Sequence, residues 1–366
     1  MQNRAYKTVR RDDFPAMIDV DRYGARSSDF EEIIARTDEH FWNPHDPAYI
    51  DYSQPWPKDE PLMPLDFFIE LQSAVSDRLD EGQQIAFANA NLHWTLSNTL
   101  HGEQGALSLS TSLCDMFIDP GAQEYAANQA REEARHVHAF TIYMASRYEG
   151  RVLPAGPTIG SLLDELVATD VVYKKIVGMQ MLIEGLAMGA FATLHKKSND
   201  PLLRRLCQLT MTDEAFHHKF GKLWARSAMP DLTEEQHDEV EDWAHACFER
   251  VFFNLVNAEQ KQVIYPQFGL DWQWVRGAVM EVFSDARRRA LLREQTNIFR
   301  VLIKTLLQAG IITERTRAHY AAWVDMDELV SEGERMVGED IAEEGIRYLR
   351  EINEGKRKIV KKVSSK

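Results

Sequence analysis

The chain has 366 residues, 44% of them hydrophobic, and a formal net charge of −15. Its length exceeds the roughly 150 residues of a typical domain and suits one large domain or a core with appendages, while the acidic balance argues against a nucleic-acid partner. The three dispersed cysteines, Cys114, Cys207 and Cys247, show no C-x-x-C spacing, which excludes a disulfide framework, a zinc ribbon and an iron–sulfur cluster and suits a reducing compartment.

Met1 to Asp12 carries charges of both signs without an apolar run, so no signal peptide is expected. Residues 1–64 read as an irregular arm with one short helix near Ser28–Thr37. Between Phe41 and Pro64, six prolines and the aromatics Trp42, Tyr49, Tyr52 and Trp56 suit an extended segment anchored on a surface. Leu65–Leu79 has amphipathic spacing and predicts a helix. Gln83–Ile118 predicts a long helix ended by Asp119-Pro120-Gly121, and Gln123–Tyr148 the next, closed by Gly150. A short helix over Thr158–Val167 precedes one over Asp170–Lys197. The most apolar window, Val177–Leu194, is interrupted by Gln180 and Glu184 and is barely long enough for a bilayer. A cytoplasmic protein without membrane association is therefore expected.

Asp200 as N-cap and Pro201 at the first helical position start a helix reaching about Ala228. After the Met229-Pro230-Asp231 break, Thr233 and Gln236 form a capping box for a helix to about Lys261. Asp271–Gly310 predicts one or two helices, Thr313–Glu354 helix in pieces, and the tail from Lys356 is basic. The expected architecture is all-α: an arm over 1–64, a helical core over 65–230, and C-terminal helices over 231–366 packed on that core as one domain.

The chemistry is concentrated in two Glu-x-x-His pairs, Glu133–His136 and Glu214–His217. A lone glutamate precedes each by 30 residues: Glu103 before Glu133, and Glu184 before Glu214. Positions i and i+3 share a helix face, so each pair can reach one metal ion. All six residues sit among apolar neighbours, where an unpaired charge is costly. Four carboxylates balance two divalent cations, and oxygen-rich donors with one imidazole per metal suit iron or manganese, singly or mixed. Glu234–His237 matches the same pattern but opens a very acidic helix with no apolar face, so it reads as a solvated helix start.

Glu132 and Asp213 directly precede the two pairs. In a pseudo-symmetric arrangement of two helical hairpins, each acid can hold the ring N–H of the opposite half's histidine, with Arg135 paired to one of them. His218 reads as a packed or supporting histidine near the ligands, with a ligand or proton-shuttle role as the alternative. His101 and His138 read as structural.

Glu-Glu-Ala-Arg-His (132–136) and Asp-Glu-Ala-Phe-His (213–217) resemble the paired motifs of the ferritin-like di-iron carboxylate superfamily, in its oxygenase branch. That branch includes bacterial di-iron hydroxylases, acyl carrier protein desaturases and arylamine N-oxygenases. The resemblance covers about residues 85–225 and implies a four-helix bundle core. It implies that Glu103, Glu133 and His136 hold one iron, and that Glu184, Glu214 and His217 hold or bridge to the second. Phe140 stands where radical-forming reductase subunits carry a tyrosine. Thr210 stands where the N-oxygenases carry an extra histidine, and Met188 where the hydroxylases carry a threonine.

The implied activity is monooxygenation of a small organic substrate, with two iron ions and dioxygen as co-substrate. Leu107, Phe140, Gln180, Met188, Phe191 and Thr210 are the expected pocket lining. The chain has no flavin or nicotinamide fingerprint, so a separate reductase or ferredoxin is expected, and a homodimer by analogy. An acyl desaturase with a carrier-protein partner and a ferroxidase or metal-handling protein are the alternatives.

Overall fold

The computed structural model describes residues 5–282, 298–332 and 336–355. Among these the chain is all-helical, without a strand and with one isolated bridge between Thr8 and Phe117. The arm carries a single turn, α1 (Phe14–Met17), and the short α2 (Glu31–Glu39). Then come α3 (Glu81–Cys114), α4 (Pro120–Tyr148), α5 (Pro157–Ala168), α6 (Val172–Lys197) and α7 (Pro201–Ala228). The rest comprises α8 (Glu234–Val256), α9 (Trp272–Val282), α10 (Ile298–Gln308), α11 (Arg317–Ala321), α12 (Met326–Ser331) and α13 (Glu339–Asn353). Residues 283–297, within the span predicted as one or two helices, and the basic tail from Lys356 lie outside the described residues.

The long helices begin where the sequence supplies caps. Asp80 and Gln83 form a capping box on α3, Asp119 accepts from Gly121 N–H before Pro120, and Asp200 accepts from Leu202 N–H before Pro201. Glu149 and Gly150, both at positive φ, close α4. The helix predicted over Leu65–Leu79 does not form. Three 3₁₀ turns replace it: Leu65–Phe67, Ile69–Gln72 and Ser76–Arg78. The Ser73 hydroxyl donates to the Glu70 carbonyl and accepts from Val75 N–H, so local side-chain bonds displace the helical ladder. Likewise α8 stops at Val256 instead of running to Lys261, because Asn257 is extended and its side chain caps the 3₁₀ turn Ala258–Lys261.

α3 packs along α4 and α6 along α7, each pair reversing across a short turn; α4 also meets α7. Residues Ile176–Ile183 within α6 are π-helical, and Glu184 follows directly. By length and composition α6 is apolar enough to cross a membrane, but it is largely buried within the protein.

Buried residues form two hydrophobic clusters. One holds Ala106, Tyr125, Met181 and Phe220; the other holds Leu100, Phe140, Met188 and Phe191. The helices α3, α4, α6 and α7 run through both. Between the two clusters they carry a layer of buried carboxylates and imidazoles.

Candidate metal centre

The six residues singled out by spacing meet in that layer, all of them buried. Glu103 comes from α3, Glu133 and His136 from α4, Glu184 from α6, and Glu214 and His217 from α7. They form two groups, Glu103–Glu133–His136–Glu214 and Glu133–Glu184–Glu214–His217, and in each the donor atoms lie within 4.8 Å of one another. Each group can hold a metal ion.

Glu133 and Glu214 belong to both groups. His136 Nδ1 lies 3.4 Å from Glu133 Oε2 and 3.1 Å from Glu214 Oε1, while His217 Nδ1 lies 3.0 Å from the other oxygen of each. The resemblance implies Glu133 with the first iron and Glu214 holding or bridging to the second; in the donor geometry both belong to both groups. Both inner glutamates are shared, and Glu103 and Glu184 are the outer ones. The reason is rotational: on their helices Glu133 and Glu214 lie between the two histidines, which one-dimensional spacing does not display.

The imidazoles are oriented from outside. His136 Nε2 donates to Asp213 at 2.8 Å and His217 Nε2 to Glu132 at 2.9 Å, which leaves both Nδ1 atoms facing the carboxylates. Each acid from one hairpin thus holds the histidine of the other. Asp213 also accepts from Arg135 at 2.7 Å and from the Trp42 indole N–H at 2.9 Å, and His40 Nε2 stands 3.1 Å from its second oxygen. His40 and Trp42 come from the arm, and sequence reasoning missed both as parts of the site. A buried indole N–H favours an acceptor, but nothing in the sequence assigns Asp213 to Trp42.

Gln129 was also missed. Its amide lies 3.0 Å from Glu133 and 3.3 Å from Glu184, and it exchanges hydrogen bonds with Gln180 at 3.1 and 3.0 Å. Gln129 and Gln180 each sit four residues before a glutamate of the layer, a repeat visible in the sequence.

Charge follows geometry. Burial, reinforced by Glu214, holds Glu103 and Glu184 well above the usual carboxylate range. For Glu133 burial acts upward too, but His217 and His136 outweigh it and the net shift is downward. His136 and His217 are raised well above the usual imidazole range, because neighbouring carboxylates overcome burial. Asp213 is pulled well below its ordinary value by Arg135, His136 and His40 against the effect of burial. Burial lowers His40, yet Asp213 and Glu132 push it up to about 9.

These residues fit a pair of cations. No lysine or arginine pairs with Glu103, Glu133, Glu184 or Glu214 among the described residues, and Arg135 is committed to Asp213. Glu133 Oε2 and Glu214 Oε1 meet His136 Nδ1, at 3.4 and 3.1 Å, and accept no well-formed hydrogen bond there. Buried carboxylates so placed can hold metal ions.

Other expected residues fall elsewhere. His218 lies outside both groups; its Nε2 donates to Thr305 Oγ1 at 2.9 Å, because one residue past His217 turns the side chain about 100° toward α10. His101 Nε2 pairs with the Leu153 carbonyl, and His138 with His45. His237 gathers with Asp238 and Glu241, but Arg315 pairs with both acids and His237 bonds the Gly310 carbonyl.

The expected pocket lining divides between the two ends of the layer. Phe140, Met188, Phe191 and Thr210 are buried on one side, whereas Gln180 and the half-buried Leu107 lie toward the other. Gln180 exchanges hydrogen bonds with Gln129, whereas Phe140 stacks on Phe191. Two surface hollows, of about 260 and 680 Å³, are bordered by none of the six.

No protein-family model matches the chain, and no curated protein matches it.

Proposed function

We propose that the chain is a non-haem di-iron oxygenase built on a ferritin-like four-helix core. The observation that carries this reading is the pair of shared carboxylates, Glu133 and Glu214, each with one oxygen toward His136 and one toward His217. Four carboxylates and two imidazoles at such spacing match two divalent ions of the iron or manganese kind. Bound iron would supply the electrons that activate dioxygen.

The chain's own residues prepare that chemistry. Asp213 and Glu132 fix both imidazoles with Nδ1 inward. Trp42 and His40 close the arm over Asp213 and keep water away. Phe140 and Phe191 stack at 5.7 Å and give an apolar wall on one side. Monooxygenation consumes a substrate C–H or amine, dioxygen, two electrons and two protons, and yields the oxygenated product and water. A separate reductase or ferredoxin supplies the electrons.

Metal handling is the competing function, because a ferroxidase takes the same donor set and needs no organic pocket. Oxygen uptake separates the two. Protein loaded anaerobically with ferrous iron is exposed to dioxygen with a chemical reductant and panels of small aromatic, amine and acyl substrates. An oxygenase turns over repeatedly and incorporates ¹⁸O into one substrate class. A desaturase leaves a double bond in an acyl chain. Uptake that tracks added ferrous iron and yields no organic product sinks the oxygenase reading.

A further inference from the structure

The two ends of the metal layer are chemically unlike. α4 and α6 run in one register, so that Gln129 meets Gln180 just before Glu133 and Glu184, and Phe140 stacks on Phe191 just beyond them. α7 runs opposite to α6. Residues preceding Glu214 therefore lie toward the phenylalanines, and residues following His217 lie toward the glutamines. Gly221 fixes that direction: a Cβ there would stand 3.0 Å from the Gln180 Cβ.

At the glutamine end every side-chain amide group is partnered. The Tyr125 hydroxyl, one turn before Gln129, has no partner among the described residues, and toward the phenylalanine end the Thr210 hydroxyl has none either. Thr210 is completely buried, and among the described residues its Oγ1 has no hydrogen-bond partner. Helical threonines ordinarily bond back to the carbonyl four residues earlier. Thr95, Thr99, Thr111, Thr141, Thr193 and Thr305 all do so in this chain. Thr210 does not. It lies one turn before Glu214 and two before His217, on the same helix face as both. A buried hydroxyl left without a partner on the ligand face calls for a bound polar molecule.

We propose that the Thr210 hydroxyl is the hydrogen-bonding contact for a small exogenous ligand, dioxygen or an anion of similar size, held beside Glu214 and His217 on the phenylalanine side. This rests on the dimetal reading above and adds a side and a residue to it. Dioxygen has no other unpartnered hydroxyl on that face of α7 among the described residues.

Azide is the probe. Wild type, Thr210→Val and Thr210→Ser are loaded with iron, oxidised, and titrated with azide while visible absorbance is followed, with iron per chain measured on the same samples. Thr210→Val should keep its iron and bind azide about tenfold more weakly, the worth of one hydrogen bond. Thr210→Ser should stay within about twofold of wild type. Thr210→Ala serves if the valine variant misfolds, with the same expected loss. Azide affinity unchanged in a variant lacking the hydroxyl overturns the assignment while leaving the dimetal reading intact. A wild type that takes up no metal pair removes both.

Discussion

Glu133 and Glu214 face one another across the centre, each with one oxygen 3.0 Å from His217 Nδ1 and the other 3.4 and 3.1 Å, respectively, from His136 Nδ1. Glu103 and Glu184 each belong to one group of donors only. Shared and outer glutamates should therefore fail differently. Glu133→Gln or Glu214→Gln should lose most of both metals, whereas Glu103→Gln or Glu184→Gln should retain about one ion per chain. Metal analysis of the purified variants measures this, with Glu234→Gln as a control that keeps wild-type loading. Equal loss in all four core variants would mean that the two positions are not separable.

Asp213 gathers Arg135, Trp42, His136 and His40 on one buried carboxylate. Asp213→Asn keeps the shape and removes the charge, leaving Arg135 and a cationic His40 with only the more distant Glu132 carboxylate, at 3.9 and 3.7 Å. Breaking a buried pair in this way costs about 3–5 kcal/mol. Trp42→Phe removes one donor and should cost only about 1 kcal/mol. Metal affinity should fall roughly 10- to 100-fold in Asp213→Asn, because His136 loses the acceptor that orients it. Urea unfolding and metal titration give the two numbers. A milder effect for Asp213→Asn than for Trp42→Phe would contradict the hub assignment.

The six glutamates and histidines of the centre were legible because a helix converts spacing into a shared face, and the equal 30-residue offsets repeat that conversion twice. The crossed pairs Asp213–His136 and Glu132–His217 followed from the same repeat. Caps at Asp200 and Thr233 lie within a few residues of the groups they satisfy, so those two helix starts were readable, whereas the caps Asp80 and Asp119 start α3 at Glu81 and α4 at Pro120, ahead of the predicted Gln83 and Gln123. His40 and Trp42 were not legible as site residues, since more than 170 residues separate Trp42 from Asp213 and an irregular arm has no period to extrapolate. The failed helix at Leu65–Leu79 has the opposite cause. Its apolar spacing suits a helix, but Ser73 offers the backbone a nearer partner.

Metal uptake should release protons. Without cations, Glu103 and Glu184 are raised by burial and by neighbouring carboxylates, and His136 and His217 are raised by the carboxylates that surround them. Each shift favours the protonated form, and a group that carries a proton must give it up to coordinate a cation. Loading both positions should therefore release protons, and affinity should rise with pH. Calorimetric titration of ferrous or manganous ion in two buffers of different ionisation enthalpy counts them. A release near zero would show that the metal-free ligands are already deprotonated.

His40 gives a separate pH signature. Its pKa rises from 6.5 unfolded to about 9 folded because Asp213 and Glu132 overcome the effect of burial. A group raised on folding stabilises fully below its unfolded value and loses that contribution as pH climbs through its folded value. The stability due to His40 is thus complete below about pH 6.5 and gone above about pH 9. Unfolding of wild type and His40→Gln should differ most at pH 6 and converge toward pH 9.5. A difference that grows with rising pH would have the wrong sign.

Gln129 and Gln180 exchange both halves of their amides in a fully buried site, and Gln129 also reaches Glu133 and Glu184. Removing the Gln129 amide leaves that of Gln180 buried and unpaired, and removing the Gln180 amide leaves the Gln129 carbonyl without its donor, whereas removing both leaves an apolar contact. Gln129→Leu and Gln180→Leu should each cost about 2 kcal/mol. The double variant should cost less than their sum by roughly 1 kcal/mol. Gln129→Leu should also weaken metal binding more than Gln180→Leu, because only Gln129 bonds the glutamates. A thermodynamic cycle by urea unfolding tests the coupling. Strict additivity would mean that the two amides do not depend on each other, and that the glutamine end is closed by packing alone.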